Sequence, residues 1–159
     1  MGSRVVAGAV AGLIAGVVFG LMMQMMSAPT PDGGQMPMMA MVAMVVGSTS
    51  VAVGWLYHLF NSVVIGMLFA WLFGTRVRSM ASGLAFGAVW GFVWWVAGAL
   101  VLMPIALGMP PFAPLMMAPM VPMVPVAMGS LMGHAVFGLV LGAVYATVIR
   151  SRTVRTVRA

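Results

Sequence analysis

Residues 5–26 read VVAGAVAGLIAGVVFGLMMQMM, an uncharged run in which Gln24 is the only strongly polar side chain. At 1.5 Å of rise per residue, about 20 apolar residues match a hydrocarbon core of roughly 30 Å, so the run is long enough to span a bilayer. It begins after Arg4 and stops at Ser27-Ala28-Pro29-Thr30-Pro31-Asp32-Gly33-Gly34, a turn-rich stretch that holds the chain's only acid. A cleaved signal peptide is the rival reading, but the apolar region is longer than such leaders carry, and the repetition described below argues against it.

The whole chain is of the same character: 64% of its 159 residues are hydrophobic and 5% are charged. A soluble domain carries about a quarter charged residues, so lipid is the expected solvent for most of this surface. The net charge of +6 comes from seven basic residues, all arginines in short clusters beside apolar runs. That distribution reads as membrane topology rather than nucleic-acid binding. Without cysteine there is no disulfide or thiolate chemistry.

Working outward, Met36 to Gly74 is uncharged and about twice too long for one crossing. Gly47-Ser48-Thr49-Ser50 is the expected break, since small hydroxyl residues favour a helix cap. This leaves a short Met-rich segment at 36–46, interfacial or re-entrant, and a spanning helix at about 51–74. Arg76 and Arg78 end it. A third helix is expected at about 80–103 and a fourth at about 128–149. Between them lie Pro104, Pro110, Pro111, Pro114, Pro119, Pro122 and Pro125, too many missing donors for regular helix. Arg4, the Arg76/Arg78 pair and the cluster from Arg150 and Arg152 onwards share one side of a four-helix protein. The positive-inside rule makes that side, with both termini, cytoplasmic at the cell membrane.

The chain repeats itself. Gly8, Gly12, Gly16 and Gly20 recur, shifted by 71, as Ser79, Gly83, Gly87 and Gly91. Shifted by 76, His58 falls on His134, Gly66 on Gly142, Ala70 on Ala146 and Arg76 on Arg152. The expected architecture is all-α, with two tandem helix-pair units at 1–78 and 79–152, a basic tail at 153–159, and a pseudo-two-fold axis along the membrane normal. Small residues four apart let helix backbones approach closely, which is how membrane helices pack.

The chemistry is sparse. One acid excludes paired-carboxylate catalysis, no nucleophile elbow accompanies a Ser–His–Asp set, and no phosphate loop is present. The chain therefore reads as a non-enzyme that uses no nucleotide. His58 and His134 each precede a cytoplasmic arginine by 18 residues, about 27 Å along a helix and near the outer edge of the core. An intramembrane ionisable group is a functional candidate; its bland counterpart is a neutral imidazole bonded to a carbonyl.

Twenty methionines are the second anomaly. Met41 and Met44 fall on Met117 and Met120 at the 76-residue shift, each pair followed by its histidine. Thioether and imidazole suit Cu(I), although methionine is also a flexible gap-filler. Three functions follow as expectations: handling of a soft metal such as Cu(I) through these six residues, a haem b with His58 and His134 as axial ligands, or an accessory subunit of a membrane complex. A homodimer fits any of them.

Overall fold

The computed structural model describes residues 2–30, 32–116 and 124–157, with side chains from 125 to 149 in the last of these stretches. The chain forms α1 (Gly2–Gln24), strands β1 (Ser27–Pro29) and β2 (Gln35–Pro37), and α2 (Met38–Met44). These are followed by α3 (Val51–Phe73), α4 (Met80–Ala106), α5 (Ala113–Met116) and α6 (Val124–Val157). Among the described residues α1, α3, α4 and the Pro125–Ile149 part of α6 are long and apolar enough to cross a membrane. These are the helices of a multi-pass membrane protein.

Over residues 6–17 burial along α1 is inverted by size. Ala7, Gly8, Ala11, Gly12, Ala15 and Gly16 are buried, whereas Val6, Val10, Leu13, Ile14, Val17 and Leu21 face outward. In water that arrangement would expose the larger apolar groups for no gain; against lipid tails it costs nothing, and the small face lets backbones touch.

Two helix pairs result. A methyl group built on Gly8 would lie 2.5 Å from the Ala70 Cβ and strike the Gly66 carbonyl, and one on Gly12 would lie 3.0 Å from the Gly66 Cα. In the α4–α6 pair, one on Gly83 would lie 2.6 Å from the Gly142 carbonyl oxygen, and one on Gly87 would lie 3.1 Å from the Gly142 Cα. Gly91 meets the His134 carbonyl, Gly16 meets Ser62, and Gly20 makes room for the Trp55 ring. Ser79, the 71-residue counterpart of Gly8, lies off the seam: its hydroxyl caps α4 in a reciprocal pair with Ser82. The two pairs meet where α1 packs on α6.

The outer segments depart most from expectation. Ser27–Pro29 and Gln35–Pro37 pair as two antiparallel strands, Ala28 opposite Met36, with Gly33 between them at φ +83°. The Met-rich segment shortens to α2, with Met38, Met39, Ala40 and Ala43 buried against the bundle. The expected break at Gly47 holds, with φ +75° there. Among the described residues the proline-rich stretch is more helical than expected, because Pro114 and Pro125 sit in first turns, where a missing N–H costs nothing, and Pro104 is accommodated by a local widening of α4. Pro104 opens the last turn of α4, Pro114 is second in α5, and Pro125 is second in α6. The third span therefore extends to Ala106 rather than 103, and the fourth begins at Val124 rather than 128.

Candidate functional site

Pro104 shapes more than a helix end. It has no N–H for the Leu100 carbonyl four residues back, and its ring would crowd that oxygen. Trp95–Leu102 widens into π-helix, with the Met103 N–H reaching back five residues to the Gly98 carbonyl. The released Leu100 oxygen accepts instead from the Phe112 N–H at 2.6 Å, and Phe112 takes φ +62° to deliver it. Trp95 ties the same stretch to α6, donating from Nε1 to the Ala127 carbonyl at 3.2 Å. Short π-turns in helices recur at functional sites. This one forms a wall of the largest cleft described.

That cleft has a volume of about 520 Å³ and lies between α3 and the π-turn of α4, with α1 and α6 behind it. At one end the α3–α4 seam is shut by Phe73 stacked on Phe86 at 5.1 Å and by Trp90, whose Nε1 donates to the Ile65 carbonyl at 3.2 Å. At the other end the helices part, with Tyr57, His58 and Asn61 on one side and Trp94, Gly98 and Leu102 on the other.

Both histidines line it. His58 Nε2 lies 2.8 Å from the Gly16 carbonyl, and His134 Nδ1 lies 2.8 Å from the Ser130 carbonyl. A carbonyl only accepts, so each of these nitrogens carries the ring proton. The neutral rings keep a lone pair on Nδ1 of His58 and on Nε2 of His134. The Phe19 ring packs edge-on to both, with centroids 5.5 Å from His58 and 4.8 Å from His134. The imidazole centres can thus be no farther apart than those two distances laid end to end. Phe19 itself is seated in the space opened by Gly133.

The methionines sort differently from their spacing. Met23, Met38 and Met103 line the cleft with the histidines. Met41 is beside a second cavity of about 60 Å³ that it shares with Met38, Met103 and Met109. Met44 is 40% exposed, and Met117 and Met120 lie outside the described residues. Arg4, Arg76 and Arg78 lie near helix ends and do not line the cleft, and Arg76 donates to the Leu72 carbonyl at 2.8 Å; the Arg150 and Arg152 side chains are outside the described set. No group of three or more His, Cys, Asp or Glu side chains gathers among the described residues.

Three cleft residues escaped the sequence reading. Asn61 lies one helical turn from His58, and that i, i+3 spacing was the available signal. Ser130 lies one helical turn before His134, at i, i+4 spacing. Trp94 Nε1 is buried without a partner among the described residues, which nothing in the sequence announces. No family model, no curated protein and no solved structure matches this chain.

Proposed function

We propose that this chain is a non-catalytic, multi-pass protein of the cell membrane whose central cleft binds a small lipid-soluble ligand, with His58 and His134 fixing its polar end. The observation that carries this reading is the cleft: about 520 Å³, largely apolar, with a few convergent polar groups. Ligand pockets run from about 300 to 1,000 Å³ and have that composition, whereas a single ion needs far less room.

The same reading takes the protein as two tandem helix-pair units about an axis along the membrane normal, with both termini cytoplasmic. In its support, Gly8 against Gly66 and Ala70 repeats as Gly83 against Gly142 and Ala146, and Gly12 against Ser62 and Gly66 repeats as Gly87 against Gly138 and Gly142. Packing thus relates the first helices by 75 residues, one rung from the 71 that their sequences suggest and one short of the 76 that relates the second helices.

Gly98 supplies the test. A methyl group there meets nothing nearer than Trp94 at 3.7 Å, so Gly98→Phe fills the cleft without touching a helix seam. Native mass spectrometry of protein taken from its own membranes should find a lipid-soluble mass on the wild type that Gly98→Phe lacks. Equal retention by both forms would remove the reading.

A second reading, soft-metal handling, is favoured by Met23, Met38 and Met103 lining the same cleft as the two imidazoles. It predicts that Cu(I) retained against a chelator falls when those three become Leu; unchanged retention ends it. The haem reading finds less support, because His58 Nε2 is engaged by Gly16 and Phe19 packs against both rings.

A further inference from the structure

Resting on the reading of the cleft as a ligand site, we infer that its occupant is a neutral amphiphile whose polar end carries two hydroxyl groups, a chain-bearing diol or hydroquinone. The two hydroxyls donate to Nδ1 of His58 and Nε2 of His134.

The argument is one of hydrogen-bond complement. Each imidazole has committed its N–H to a helix carbonyl, so what both turn to a ligand is an acceptor. In surroundings without water, an acceptor left unpaired costs free energy, and so does a ligand group that matches acceptor with acceptor. A quinone or ester carbonyl would find the wrong partner in both rings. A carboxylate or phosphate would need a cation, and the cleft holds neither Arg nor Lys. An ammonium would need an acid, and the chain's only one, Asp32, lies exposed in the hairpin turn. A neutral group with two O–H donors remains.

Tyr57 and Asn61 also line the cleft, and a hydroxyl that donates to an imidazole still has lone pairs to accept from their donor groups. The common edge contact with Phe19 sets an upper limit on the separation of the two rings. The apolar remainder of the cleft, with Val64, Ile65, Leu102 and Ala106, takes the chain.

The test uses the full chain in nanodiscs and two probe pairs: decylhydroquinone with its dimethyl ether, and 1-O-decylglycerol with its di-O-methyl ether. Methylation removes both donors and adds apolar bulk, so simple partitioning favours the ethers. The wild type should bind at least one dihydroxy probe about tenfold more tightly than its ether, and which pair discriminates tells a ring source from a glyceride source. His58→Gln and His134→Asn keep an amide N–H where Nε2 and Nδ1 donate, while removing the lone-pair nitrogens. The double variant should lower the preference to about twofold with its thermal midpoint little changed. If that variant does not fold, the wild-type ratio alone decides. Equal binding of probe and ether overturns the inference while leaving the cleft a ligand site. Binding of neither pair, with no bound mass lost in Gly98→Phe, overturns both.

Discussion

The α1–α3 and α4–α6 seams are closed by glycine, and the α3–α4 seam by aromatic rings at one end and by nothing at the other. In the first kind, backbone meets backbone: Gly12 against Ser62 and Gly66, Gly87 against Gly138 and Gly142. Neither side has a rotamer to change, so the spacing is rigid. In the second kind, Phe73, Phe86 and Trp90 hold the helices at side-chain distance, and beyond them the gap becomes the cleft. One small protein thus uses the absence of side chains to build a frame and large side chains to hold a space open. Lipid gives no hydrophobic drive between helices, so close packing in the frame has to stabilise the whole.

The comparison breaks most sharply if a frame glycine is enlarged. Gly87→Leu drives a side chain into the Gly138 backbone, and should cost about 3 kcal/mol, read as a fall of about 10 °C in the unfolding midpoint in detergent. Gly98→Leu, the same change in the cleft wall, should leave the midpoint within about 2 °C; equal effects at the two positions would erase the distinction between seams.

Next in size is Pro104→Ala. It restores the N–H whose absence frees the Leu100 carbonyl, and should return Trp95–Leu102 towards α-helix. About a fivefold loss of ligand affinity should follow, the size of one altered polar contact, and the Phe112 amide should exchange faster with solvent. Unchanged affinity would mean that the π-turn is not part of the site.

Trp55→Phe is milder. It removes the 2.9 Å bond from the indole to Gln24 Oε1 at the mouth of the α1–α3 seam, worth about 1 kcal/mol and about 3 °C in midpoint, with cleft binding unaffected.

The smallest effect is at Asp32. Bonds from the Thr30 hydroxyl and from the Gly34 N–H hold its carboxyl below the ordinary value of 3.8. A lowered folded-state pKa stabilises the turn above 3.8 and is lost as pH falls through the lowered value. Protection of the Gly34 amide should therefore decline only in acid, with the bundle's midpoint unmoved. A Gly34 amide equally protected at every pH would show that the carboxylate does not hold the turn.

What the sequence disclosed follows the same division. The four spans were legible because hydrocarbon thickness sets a length and forbids charge, and both constraints are written in residues 5–26 and 51–74. His58 and His134 were legible as a pair through their common distance from arginine. The rotational register of the glycine ladders was not, because residues four apart share a face whichever rung meets the partner, and only contact shows that Gly83 rather than Ser79 meets the neighbouring helix. The π-turn was hidden for a related reason: Pro104 signals a vacant carbonyl, but what fills it comes from Phe112, beyond a loop. The prolines misled about helix because their harm depends on position within a turn, which spacing alone leaves open. Spacing alone did not announce which methionines line the cleft: Met44 is 40% exposed, while Met23 and Met103, outside any matched motif, line it.

His134 belongs to both kinds of seam at once. Its carbonyl is the surface on which Gly91 rests, while its ring lines the cleft. The imidazole is therefore bolted to a part that cannot slide, and the opposite side of the cleft is carried on the π-turn. Under the proposed reading, a change of occupant should then be engineered from residues 94–103, with the histidine side as the fixed gauge against which each one is measured.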